Sequence, residues 1–86
     1  MTYKSKYVIV QTDLAIVPVV FGDVASHVSV AYSLVTDPDS VIGAGFCYID
    51  DNGKYVCYGE SIGLRVKSRG EEDSNFLNKY LGVVQD

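Results

Sequence analysis

The chain of 86 residues is long enough for one domain, 1–86, and a domain of this size buries only a modest share of its surface, so its stability gains from a partner. Its formal charge of −4, with seven scattered basic residues, argues against nucleic acid as a partner, because non-specific binding needs clustered Lys and Arg to displace counterions from phosphates. A hydrophobic share of 48% excludes a disordered chain, while a charged share of only 21% describes a surface sparser in charge than most free monomers carry, which points to self-association.

Tyr3 to Gln11 reads as a strand, with Val8, Ile9 and Val10 supplying β propensity. Lys4 and Lys6 precede an apolar run that Gln11, Thr12 and Asp13 interrupt, so no targeting segment is read there. Thr12-Asp13 is a turn, and Leu14 to Phe21 a second strand that completes an antiparallel hairpin. Pro18 cannot donate to a ladder and assigns that strand to an edge or a bulge. The same stretch is the longest apolar run, too short to span a bilayer, and the expectation is a cytoplasmic protein without a membrane partner.

Gly22-Asp23 breaks the strand, and Asp23 can cap a short helix over Val24 to about Val30. Val28, Val30, Tyr32 and Leu34 also alternate with smaller residues, so residues 24–34 fit a strand as well; the helix followed by an extended segment is preferred. Thr36-Asp37-Pro38-Asp39-Ser40 is a loop, since Pro38 biases Asp37 away from helix and the Asp and Ser side chains favour turns.

Val41 to Asp50 and Lys54 to Val66 read as two long strands of a second hairpin. A turn with Gly53 left-handed and a bulge pairs Asp50 with Lys54, whereas a two-residue Asn-Gly turn pairs Asp51 with Lys54. The bulged register is chosen, because it alone keeps Phe46, Tyr48, Val56, Tyr58, Ile62, Leu64 and Val66 on one face. The opposite face then carries Gly45, Cys47, Ile49, Tyr55, Cys57, Gly59, Ser61 and Gly63. A row of small residues marks either a strongly twisted or bent hairpin that needs glycine for its own geometry or close approach by another element, for which a second copy in a two-fold dimer is the expected cover. Cys47 and Cys57 face one another, too few for a disulfide scaffold and without the neighbouring ligands zinc needs; no metal or cofactor is expected.

Ser68 and Glu71 have capping-box spacing, and Glu71, Glu72 and Asp73 suit the positive end of a helix dipole. Phe76, Leu77, Tyr80 and Leu81 recur on one side of that helix, and Gly82 ends it. The fold class is therefore α+β: a small antiparallel sheet of about four strands, a C-terminal helix packed on its aromatic face, and a short helix between the hairpins.

The phrases Gly43-Ala44-Gly45-Phe46, Gly59-Glu60-Ser61 and Ser68-Arg69-Gly70-Glu71-Glu72-Asp73, with the His27–Ala31 segment, resemble those of small proteins encoded by tailed bacteriophages. The resemblance covers most of the chain after Phe21. It implies an origin, with accessory roles in infection or interference with a host protein, and no mechanism.

Few side chains are candidates for chemistry. His27 is the only histidine, with Asp23 as its one local partner; Cys47 and Cys57 have no cation nearby to lower their pKa. Glu60, in the middle of a long strand and pointing to the apolar face, needs a donor such as Arg69 or Ser68. Two functional classes follow. The first is a non-enzymatic interaction module binding a host or phage protein through the small-residue face or sheet edges, with Cys47, Cys57, Gly59 and Ser61 among its contacts. The second is a small-ligand-binding or enzymatic domain, assembled at a dimer interface, that uses Glu60, Arg69 and His27. Convergence of those three on one cavity favours the second class, and dispersal the first.

Overall fold

The computed structural model describes residues 4–82; the Tyr3 end of the first strand and the Val83–Asp86 tail lie outside them. Strands β1 (Ser5–Gln11) and β2 (Ile16–Phe21) form the expected antiparallel hairpin. β2 starts later than its apolar run because Thr12 Oγ1 accepts from the amides of Leu14 and Ala15 at 3.2 and 3.0 Å, drawing both into the turn. Thr12 N–H donates to the Ala15 carbonyl at 2.8 Å, and alternation from that bond puts Pro18, opposite Ile9, at a position whose missing N–H lies on the outer side.

β3 (Val41–Ile49) and β4 (Tyr55–Tyr58) complete a four-stranded antiparallel sheet in the order β2-β1-β3-β4. The bulged register holds. Asp50 pairs with Lys54 through a 2.8 Å bond, Gly53 sits at φ 76°, and Cys47 lies opposite Cys57. The central strand β1 is sealed on both faces, with Tyr7 and Ile9 on one side, Val8 and Val10 on the other, and none exposed.

Helix α1 (His27–Leu34) covers one face. It starts later than the expected Val24, because Ser26, not Asp23, caps it, accepting from the Ser29 amide. Asp23 is drawn off to Lys6, whose ammonium lies 3.7 Å from its carboxylate and donates to the Ala25 carbonyl at 3.0 Å. The extended alternative for residues 28–34 is thereby excluded. Val35 closes α1, and Asp37 caps the single 3-10 turn Pro38–Ser40 through the Asp39 amide.

The second long strand is not continuous. At Gly59 the backbone turns to φ 78°, a conformation that side-chain-bearing residues rarely adopt, and the chain leaves the sheet. A separate two-stranded ribbon follows, β5 (Glu60–Ser61) with β6 (Val66–Lys67). Leu64 and Val66 pack with Val8, Val10, Ala31, Val41 and Ala44, so the ribbon extends the α1 layer. Gly63 and Ser61 therefore do not lie on the face of Cys47 and Cys57.

Helix α2 (Glu71–Leu81) packs on the face opposite to the one expected. Its Leu77 joins Tyr7, Ile9, Cys47 and Cys57 in one buried cluster, with Phe76 alongside. The aromatic face was expected beneath this helix because large rings are the usual core. The face of Cys47 and Cys57 takes it instead, where Tyr7 and Ile9 of β1 supply the large apolar groups that Leu77 packs against. The α+β architecture stands, as does a C-terminal helix on one face and a short helix between hairpins. No helix among the described residues is long and apolar enough to cross a membrane.

Candidate functional site

The start of α2 is built around a carboxylate that sequence reasoning assigned to capping. Asp73 is fully buried. Its Oδ1 accepts from Arg69 Nε at 2.6 Å, and its Oδ2 accepts from the Arg69 amide at 2.9 Å and from the Tyr7 hydroxyl at 2.5 Å. Ser68 Oγ lies 2.7 Å from the Tyr7 oxygen and accepts from the Gly70 amide at 3.0 Å. The single phenol proton goes to the carboxylate, so the serine hydroxyl donates to Tyr7. Ser68 is thus not the helix cap: Gly70 holds that position with no side-chain bond, and exposed Glu71 does not close a capping box. Burial, then the bond to Asp73, raise the Tyr7 pKa far above that of an ordinary phenol.

Among the described residues no buried side-chain polar atom lacks a partner, and both oxygens of Asp73 are engaged within this network. Gly43 shows how tightly it is packed: a Cβ there would come within 2.5 Å of Asp73 Oδ2.

The expected polar set disperses. Arg69 is committed to Asp73 and, at 3.3 Å, to Glu72. Glu60 is exposed on β5, opposite Lys67 in the ladder, and does not meet Arg69. The backbone break at Gly59 rotates it away from the apolar face where continuous alternation would have put it. His27, nearly buried, stands edge-on between the rings of Phe21 and Phe46 at 5.6 Å from each, and its Nε2–H donates to the Gly45 carbonyl at 2.7 Å. Asp23 is not its partner. Ser61 is buried and accepts from the Leu64 amide, holding the ribbon turn.

Cys47 and Cys57 are buried free thiols under α2. Desolvation pushes Cys47 up to about 11; desolvation, then repulsion from Cys47, pushes Cys57 up to about 12. The expected second chain is not needed on this face, because α2 covers it.

The outer edge of β4 is closed. Ser74 Oγ accepts from the Cys57 amide at 2.8 Å; Asn78 accepts from the Tyr55 amide at 2.7 Å and donates to its carbonyl at 3.1 Å. Two side chains of α2, one helical turn apart, thus occupy the outer edge of β4. The β2 edge lacks a donor at Pro18.

What stays open is the β3–β4 end of the α1-side face. Phe46, Tyr48 and Tyr58 form a continuous aromatic surface, with neighbouring ring centroids 5.9 Å apart and the Lys4 ammonium 4.1 Å above Phe46. Tyr58 is 40% exposed, and Phe46, Tyr48 and Val56 are half-buried; α1 and the ribbon cover the β1 end of this face instead. A shallow hollow of about 350 Å³ between the β1–β2 turn and the end of α1 is lined by Thr12, Asp13, Tyr32, Thr36, Asp37 and Ser40, among others, without a cluster able to hold a metal. Sequence reasoning put the aromatic residues on one face but buried them; no signal in the pattern distinguishes the covered face from the open one. Comparison of the chain with protein-family models, curated proteins and solved structures finds no match.

Proposed function

We propose that this chain is a non-enzymatic protein-interaction module that docks through the open aromatic face of Phe46, Tyr48, Val56 and Tyr58. The observation that carries the reading is that contiguous patch of rings, with Tyr58 40% exposed, Phe46 and Tyr48 partly so, and α1 reaching it only through His27 at Phe46. Aromatic residues supply large contact area at small entropic cost and are enriched at the centres of interfaces. The closed β4 edge argues for docking through the face and against strand addition at this end of the sheet. Dispersal of Glu60, Arg69 and His27 supports this reading over a small-ligand-binding or enzymatic domain at a dimer interface. The resemblance to phage-encoded proteins makes a host or phage protein the expected partner, and a second copy of the chain the simplest one, in the cytoplasm of the infected cell.

The test is a pair of variants, Tyr48→Asp and Tyr58→Asp, first checked for native circular dichroism. Light scattering on a sizing column reads self-association, and affinity capture from bacterial cells reads other partners. Loss in both variants of a dimer, or of a captured protein, supports the reading. A monomer whose captured proteins are unchanged by either substitution refutes it.

A further inference from the structure

We infer that Cys47 and Cys57 are a latent disulfide site, closed by α2 and oxidised by a small disulfide when that helix lifts. The backbone register is one that a bridge can use. The two residues are directly opposed on β3 and β4. The Cys57 amide bonds outward to Ser74, and so does the Tyr55 amide to Asn78, so the pair is of the non-hydrogen-bonded kind. In such pairs the Cα atoms approach to about 4.5 Å and the side chains lie closest, within the span that a disulfide bridges without backbone movement. Both thiols project to one face and share one buried cluster with Tyr7 and Leu77.

The same cluster explains why the pair is reduced and quiet. Neither sulfur is reachable while Leu77 sits on it, and burial keeps the thiolate fraction small. The Ser74 and Asn78 bonds to β4 hold α2 down at this edge, beside the Leu77 cluster and the Tyr7–Asp73 bond. When α2 opens, both thiols regain water and ordinary acidity. One thiolate then attacks a sulfur of R–S–S–R, forming a mixed disulfide and releasing R–S⁻. The other thiolate attacks the protein sulfur of that mixed disulfide, forming the Cys47–Cys57 bond and expelling the second R–S⁻. The pair loses two electrons and its two protons, and R–S–S–R becomes two R–SH.

The experiment uses oxidised glutathione on the folded chain, with mass spectrometry reading the loss of two hydrogens and peptide mapping locating the bridge. The expected product is a monomeric chain with Cys47 joined to Cys57. Asn78→Ala should speed its formation about tenfold, because two bonds that resist opening are gone. In Asn78→Ala/Cys57→Ser the reaction should stop at a glutathione adduct on Cys47, at a rate that keeps the Asn78→Ala acceleration. Adducts or cross-linked chains without the internal bridge would overturn the site. A rate unaffected by Asn78→Ala would overturn the gate.

Discussion

The Tyr7 hydroxyl and the Asp73 carboxylate, from the first strand and the last helix, meet at 2.5 Å inside the protein. They join the central strand to α2 across almost the whole sequence. Tyr7→Phe keeps the ring in the Leu77 cluster but removes a donor from a buried carboxylate and orphans the Ser68 hydroxyl. A loss of about 1–3 kcal/mol is expected, read by urea denaturation. Stability within a few tenths of the wild type would show that Arg69 alone satisfies Asp73.

Gly43 tests the same network through space. Gly43→Ala places a methyl group against Asp73 Oδ2, and overpacking of this kind costs about 1–3 kcal/mol. Gly22→Ala is the control, because no atom lies within 4 Å of the added carbon and φ is not positive there. It should be neutral or stabilising by up to about 1 kcal/mol. Equal effects of the two substitutions would contradict the packing around Asp73.

The sheet was legible and the cover was not. The second hairpin's register follows from Asn52-Gly53 and strict alternation, and the edge position of β2 from Pro18, all local signals. Helix positions at the caps were missed where two residues competed: Asp23 is the stronger acid, but the Lys6 ammonium takes it, and Ser26 is left to cap α1. The sequence leaves a bend or a close approach open for the row that includes Gly59, because glycine with positive φ and glycine under a helix look identical there; the structure makes Gly59 the bend. The side on which α2 lies depends on the Tyr7–Asp73 bond, whose partners are far apart in the chain, and Asp73 was hidden among acidic neighbours at a helix start.

The alkaline limb of stability should report the buried thiols and phenol. Cys47, Cys57 and Tyr7 all have folded pKa values raised above their unfolded ones, to about 11 and about 12 for the thiols. Each is protonated in both states at neutral pH. As pH passes about 9 the unfolded chain releases thiol protons that the folded chain retains, so their contribution is intact below that value and is lost progressively up to about pH 11–12. Urea midpoints should therefore be flat from pH 7 to 8 and fall above 9, and Cys47→Ala should make the fall shallower. A flat profile to pH 11 would mean that the thiols reach solvent in the fold.

Arg65 offers a gain. It closes the β5–β6 ribbon at φ 58°, a left-handed conformation that costs a side-chain-bearing residue about 1–2 kcal/mol. Its side chain is exposed and forms no ion pair among the described residues, so little is lost by removing it. Arg65→Gly relieves the strain but adds freedom to the unfolded chain, which offsets part of the benefit. A net stabilisation of about 0.5–1 kcal/mol is expected, and Arg65→Asn, which tolerates the same backbone, should give a smaller one. Because Leu64 and Val66 on either side anchor the ribbon to the α1 layer, the gain should appear in the global urea midpoint as well as in slower amide exchange of residues 61–66. Destabilisation by Arg65→Gly would show that the arginine side chain holds the turn through a contact of its own, and the strain argument would then fail.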